Sequence, residues 1–256
     1  MLSFCILTCT YNAAKELPRT INSVRTQTYA HINHYIIDGL SSDETVNIAK
    51  QYARECETQG SHHNITVVSE KDGGLYDAMN KAINMAEGDY LVFLNAGDAL
   101  ADDTTIERIA RRLGNYKTEE LPGVVYGDTD IINSKGNFLC KRRLQPPEHL
   151  TWKSFLMGML VCHQAFYART DLAKMTPYDL KYRFSADVDW CIRIMKLTEE
   201  KELELHNTHL TLCKYLEGGM SVKNHRASLM ERFKIMTKHY GLLHTLCVHF
   251  WFLIRN

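Results

Sequence analysis

The residues able to do chemistry fall in short polar clusters, each placed at the end of an apolar run. Thr10-Tyr11-Asn12 follows SFCILTC, and Asp38-Gly39-Leu40-Ser41-Ser42-Asp43 follows HYII. Glu70-Lys71-Asp72-Gly73-Gly74 follows ITVVS, and Asn95-Ala96-Gly97-Asp98 follows YLVFL. Later come His163-Gln164 and Ser185-Ala186-Asp187-Val188-Asp189. Carboxylates and carboxamides so placed accept the N–H and O–H groups of a ligand, with a charge-assisted bond where the acceptor is ionised. A Gly-Gly pair permits close approach of backbone to a ligand, or a positive φ. Each cluster also has a plainer reading. Asn12 and Asp38 can cap backbone N–H groups, Gly73-Gly74 can be a simple turn, and Asp98 can cap a following helix.

The elements that must position these clusters alternate. Strand signals cover residues 3–9, 34–37, 65–69 and 90–94, and helical spacing covers 14–28, 42–57, 75–86 and 99–113. Ser42 and Asp43 are candidate N-caps of the second helix. Strands separated by helices imply a mainly parallel, Rossmann-type sheet flanked by helices on both faces. Right-handed crossovers bring the loops at the strand C-termini together on one edge, where an α/β ligand site belongs. Four such loops carrying Asp, Asn, Tyr and Gly converge there. The second half is less regular. Strands are expected at 124–126, 138–141 and 210–215, with a turn at 134–137. Helices are expected at 150–159 and 188–197, and one long helix over 226–252.

Composition narrows the function classes. Lys+Arg and Asp+Glu are both 30, so the formal charge is zero and nothing points to nucleic acid as a partner. None of the 8 cysteines forms a C-x-x-C pair, which argues against a zinc site and for buried reduced thiols, Cys5 and Cys247 among them. MLSFCILTCTYN lacks the basic n-region of a signal peptide, so a cytoplasmic protein is expected. No G-x-G-x-x-G follows the first strand, against a dehydrogenase. ILTCTYNAAKE has no Gly-rich basic phosphate loop, against the alternative of a nucleotidyltransferase.

Taken in order, ILTCTYN, DGLSSDET, DGGLYDAMNKAI, GDYLVFLNAGD and FSADVDW resemble the family-2 inverting glycosyltransferases of GT-A fold, in their bacterial polysaccharide-assembly branch. The likeness spans about residues 3–220. It implies a GT-A domain over 1–220, with a nucleotide-binding half (1–115) and a smaller mixed acceptor half (116–220), then a C-terminal helical tail over 221–256. It implies a nucleoside diphosphate sugar as donor, uridine by default. Thr10, Tyr11, Asn12, Asp38, Asp72, Gly74, Lys81, Asn95 and Ala96 would hold the nucleotide, and His163, Gln164 and Asp189 would line the acceptor side.

Asp187 matches the family's catalytic base, which takes the acceptor's proton in a single in-line displacement. Asp98 stands where a D-x-D motif binds Mg²⁺ or Mn²⁺, but Asn95 and Gly97 occupy its customary acid positions. Ala186 likewise replaces the acid that usually precedes the base. These departures keep open a second reading, a degenerate sugar-nucleotide-binding partner subunit. Residues 214–221 resemble a loop that closes over the donor and excludes water.

Residues 242–254, LLHTLCVHFWFLI, are too short to cross a bilayer, which takes about 20 residues. They are expected either to pack on protein, within the chain or in a homodimer, or to dip into the inner face of the cytoplasmic membrane. Lys234, Lys238 and Arg255 would then face lipid, and the acceptor would be a glycan or a lipid-linked glycan.

Overall fold

The computed structural model describes residues 1–219 and 224–254. Four parallel strands form its first half: β1 (Phe4–Thr10), β2 (Ile32–Asp38), β3 (Asn64–Ser69) and β4 (Tyr90–Phe93). They are joined by α1 (Leu17–Arg25), α2 (Thr45–Thr58) and α3 (Leu75–Met85). β1 and β4 are buried along their whole length. Cys5, Leu7 and Cys9 face one apolar layer with α3, while Phe4 and Ile6 face the other. Burial on both faces explains why these strands read as continuous apolar runs rather than alternating ones.

The second half completes the sheet with strands of mixed direction. These are β5 (Ala99–Leu100), β6 (Val124–Ile132), β7 (Phe138–Lys141), β8 (Phe166–Arg169) and β9 (Leu205–Leu216). Among the described residues the sheet runs β3-β2-β1-β4-β8-β6-β9-β5, with β7 hairpinned to β6. β8 is antiparallel to both β4 and β6, whereas β6 and β9 run parallel, so the sheet is mixed beyond β4. β1 and β4 each start a return to opposite sides, and this switch point lies where ligands bind in open α/β sheets. The helices here are α4 (Thr105–Leu113), α5 (Thr170–Met175) and α6 (Ala186–Glu200).

Several local expectations are corrected. Residues 99–113 are not one helix. Ala99 and Leu100 pair with Lys214 and Cys213 of β9, and the helix starts only at Thr105. Apolar pairing with a distant strand outweighs local helical spacing there. Residues 152–157 form a 3₁₀ helix, and β8 and α5 carried no signal in the sequence reading. The expected long C-terminal helix is two, α7 (His225–Tyr240) and α8 (Leu242–Ile254), broken at Gly241 with φ of +84°. Cys247 is exposed rather than buried, whereas Cys5 is buried. Met220, Ser221 and Arg255, named above in the closing loop and the tail, lie outside the described residues.

Candidate active site

The first three strand-end loops are laced together by Asp38, which is 1% exposed. Its Oδ1 accepts from Thr10 Oγ1 at 3.1 Å and from Ser41 Oγ. Its Oδ2 accepts from Ser41 N at 2.9 Å and Ser69 Oγ at 2.8 Å. Asn12 takes a φ of +47°, and its Oδ1 accepts from Ser42 N at 2.9 Å. Tyr11 projects from this platform, 68% exposed. Asp72 Oδ1 accepts from Gly74 N at 2.9 Å and so shapes the glycine turn ahead of α3. Gly74 has a φ of +119°, a backbone region closed to most side-chain-bearing residues. Lys81 pairs with Glu70 at 2.8 Å and donates to Lys71 O at 2.7 Å, so a diphosphate would have to compete with that carboxylate. Ala96 packs beneath, against the apolar cluster of α1 and α2.

A second group gathers at the end of β4. Thr20 of α1 holds the Asn95–Asp98 turn, donating to Asp98 O at 2.7 Å and accepting from Gly97 N at 2.9 Å. Gly97 has a φ of +99°, and a Cβ there would stand 2.6 Å from Leu216. A side-chain-bearing residue at that position would be strained by its φ and would have to displace the Leu216 side chain. Asn95 Nδ2 donates to His163 Nε2 at 3.3 Å, and His163 Nδ1 lies 3.3 Å from Asp187 Oδ2. With Nε2 accepting, the proton sits on Nδ1 and points at the carboxylate. Tyr76 of α3 donates to Asp187 Oδ1 at 3.2 Å. Its ring stacks on Tyr178, which stacks on Trp190.

Burial pushes the Asp187 carboxyl up, but the hydrogen bond from His163, with the Arg232 charge, outweighs it and holds the group below its ordinary range. Asp187 therefore stands ionised at neutral pH beside a hydrogen-bonded imidazole. A positioned carboxylate of this kind can take a proton from a hydroxyl.

Asp98 and Asp189 have other partners than the sequence suggests. Asp98 is 3% exposed, and its oxygens accept from Leu216 N at 2.9 Å and Gln164 Nε2 at 2.8 Å. Burial lifts its carboxyl to about 6. It caps no helix, since α4 begins six residues later than expected. Among the described residues, no three His, Cys, Asp or Glu side chains gather to hold an ion. Each Asp98 oxygen accepts one N–H and keeps a further lone pair, so a divalent ion here would be held by Asp98 together with phosphate oxygens and water.

Asp189 is not brought to the Asp187 cluster. It is fully buried and accepts from Arg193 Nε at 2.6 Å, Lys238 Nζ at 2.9 Å and His239 Nε2 at 2.8 Å. Those contacts fasten α6 to α7. Gln164 is likewise turned inward, between Cys162 and Asp98.

Tyr76, Ser41, Ser69 and Arg232 escaped the sequence reading. Only Tyr76 and Ser41 lay inside quoted motifs; Ser69 merely closes a strand, and Arg232 reads as a solvated helix residue. A cavity of about 700 Å³ opens at the opposite sheet edge, lined by Met1, Tyr29, His31 and Tyr116, away from these groups.

Comparison with known proteins agrees with this architecture. The glycosyl transferase family 2 model matches residues 5–175. A "PGL/p-HBAD biosynthesis glycosyltransferase" of Mycobacterium bovis is 33% identical over 220 residues, covering 85% of this chain and 78% of that one. The structure of S. aureus TarS 1-349 in complex with UDP-GlcNAc aligns at a TM-score of 0.68 and 14% identity, over 96% of this chain and 70% of that one. A mannosyltransferase from Pyrobaculum calidifontis, in complex with GDP-Man and Mn²⁺, aligns at 0.64 and 14% identity, over 96% of this chain and 74% of that one. The protein is a glycosyltransferase of GT-A fold, and the chain belongs to glycosyl transferase family 2.

Proposed function

We propose that the protein is an inverting transferase that moves a sugar from a nucleoside diphosphate sugar, a UDP-sugar by default, to a hydroxyl of a glycan or lipid-linked acceptor in polysaccharide assembly. The observation that carries this reading is the ionised Asp187 held between His163 and Tyr76 at the strand-end edge. Asp187 removes the acceptor proton, the acceptor oxygen bonds to the sugar C1, and the C1–O bond to the diphosphate breaks. Inversion follows because a single displacement needs no protein nucleophile. His163 orients Asp187 and, in this reading, faces the acceptor with it.

The nucleotide lies on the first three loops. Tyr11 offers an exposed ring to the base. Asp38 receives a base N–H in place of one of the hydroxyl donors from Thr10, Ser41 or Ser69, which rotate away at little cost. Asn12, Asp72, Gly74 and Ala96 form the floor, Asn95 serves the ribose, and Lys81 approaches the diphosphate by leaving Glu70. Asp98 would hold Mg²⁺ or Mn²⁺ against the diphosphate, where the ion would stabilise the leaving nucleotide.

A thermal-shift screen of UDP-, GDP- and dTDP-sugars tests this directly. At 100-fold excess over Kd, a donor adds about 2.7 kcal/mol, or roughly 5–10 °C for a chain of this size. The shift should appear with UDP-sugars and grow with Mn²⁺ or Mg²⁺. No shift with any nucleotide sugar rejects the reading, and a shift unchanged by EDTA rejects the metal part.

We further propose that α8 lies on an anionic lipid surface. Leu242, Leu243, Leu246, Phe250, Trp251 and Ile254 form an exposed apolar stripe, and the helix contains no acid. Exposed Arg226 and Lys234 on α7 supply positive charge. No described helix is long and apolar enough to cross a membrane, so contact would be peripheral. The full chain should co-sediment with vesicles containing phosphatidylglycerol, and Leu243→Glu with Phe250→Glu should release it. A concentration-dependent dimer with no vesicle binding would instead assign the stripe to a second copy.

A further inference from the structure

The first turn of α6, which carries Asp187, is held from outside by α7. Ser185 stands at the N-cap position, yet its side chain does not cap α6. Its hydroxyl is turned to Ser228 of α7, at 2.9 Å from Ser228 Oγ and 3.2 Å from Ser228 O. The three backbone N–H groups leading into the helix point instead at one carboxylate. Arg183 N donates to Glu231 Oε1 at 2.8 Å, and Phe184 N and Ser185 N donate to Glu231 Oε2 at 2.8 and 3.0 Å. An anion at a helix N-terminus is favoured by the free N–H groups and by the helix dipole. Here the anion comes from a residue 46 to 48 positions further on.

Three further observations point the same way. Asp189, two residues beyond Asp187, is tied to Lys238 and His239 of the same helix. Arg232, the neighbour of Glu231, contributes to the field that keeps Asp187 ionised. Ala186, directly before Asp187, is fully buried and has no polar group with which to fix the turn locally. The backbone that aims Asp187 is thus set by a tertiary contact, and the family match at residues 5–175 ends before any of these groups.

We propose that Glu231 is a positioning residue for Asp187, and that α7 is an integral part of the catalytic unit rather than an appended tail. The proposal rests on the reading of Asp187 as the base. Glu231 accepts three N–H groups, fixes the backbone at 183–185, and so fixes where the Asp187 carboxylate meets His163 Nδ1 and Tyr76 Oη. A carboxamide keeps one acceptor oxygen and turns an NH₂ group toward a backbone N–H. Glu231→Gln should therefore loosen the turn partly, and Glu231→Ala fully.

Three measurements on the full chain test this. Amide hydrogen exchange at residues 183–185 should quicken at least roughly tenfold in Glu231→Gln, as one secured turn opens. The ¹⁵N ring resonance of His163, assigned by its loss in His163→Gln, should shift, which a purely structural role for Glu231 would not produce. With whichever donor the thermal-shift screen identifies, kcat should fall about 10–100-fold and donor KM should stay within about twofold, since displacing a reacting group by about 1 Å costs rate rather than ground-state binding. Glu231→Ala should exceed Glu231→Gln in every readout, and exposed Met230→Ala should change none.

Unchanged exchange and an unmoved His163 resonance in Glu231→Gln overturn the proposal, as does unchanged kcat where Asp187→Asn is inactive. Normal turnover by Asp187→Asn sinks the base reading instead, and the exchange and resonance measurements then decide the Glu231 geometry on their own.

Discussion

Replacing Asp187 with Asn is expected to lower kcat by about 10²- to 10⁴-fold, the range that a positioned general base contributes. Donor affinity should be retained, because the loops proposed to hold the nucleotide follow β1, β2, β3 and β4 and not α6. The Asn side chain fills the same space and still accepts from His163 Nδ1 through its oxygen, so folding should be little affected. What it loses is the ability to take a proton.

The pH dependence follows from the direction of the shift. Asp187 lies below its ordinary carboxylate range, so the base is already ionised at neutral pH. The acidic limb of kcat/KM should fall below about pH 4, where an unperturbed carboxylate would titrate. His163→Phe removes the N–H donor and leaves only the Arg232 charge and the Val188 backbone N–H against burial, so the limb should move upward. A limb that stays in place in His163→Phe would mean the imidazole does not act on Asp187. Steady-state rates of nucleoside diphosphate release across pH, at saturating acceptor, make both comparisons.

Replacing Asp189 with Ala is expected to have the largest effect on stability. The carboxylate is fully buried among Arg193, Lys238 and His239, and its removal leaves three donors facing a gap. Breaking a buried ion pair from one side costs about 3–5 kcal/mol. For a chain of this size that is roughly a 10 °C drop in Tm. Burial raises the Asp189 carboxyl, but hydrogen bonds from His239, Lys238 and Arg193 more than reverse this and hold it far below its usual value. The folded state therefore binds the Asp189 proton more weakly than the unfolded chain does. The stabilisation is present above about pH 4 and is lost as pH falls below that value. Wild type and variant should converge in Tm under acid.

The same variant separates two roles. If Asp189 oriented the acceptor, as its place in the motif suggests, KM for acceptor would rise sharply even well below Tm. If it fastens α6 to α7, acceptor KM at low temperature should change by less than about threefold while Tm falls. The geometry supports the second outcome.

The sequence by itself determined the frame of the site. Short apolar runs, each ending in a polar cluster and separated by helical spacing, read as strands of an α/β sheet with loops at one edge. That pattern implied a mainly parallel α/β sheet with loops at Thr10, Asp38, Asp72 and Asn95 on one edge, and the resemblance of the ordered motifs added the GT-A fold. Local periodicity and turn chemistry were enough, because those elements are settled by neighbours a few positions away. The partners of the polar groups were decided only by tertiary structure. Asp98 meets Leu216 across 118 positions, and Asp187 meets Tyr76 across 111. Glu231 closes the turn before α6 from another element altogether. No spacing rule reaches that far. An acid in a helix reads the same in sequence whether it faces water, a buried cation or the backbone of another turn, and only the packing of α7 on α6 chose among them for Asp189 and Glu231.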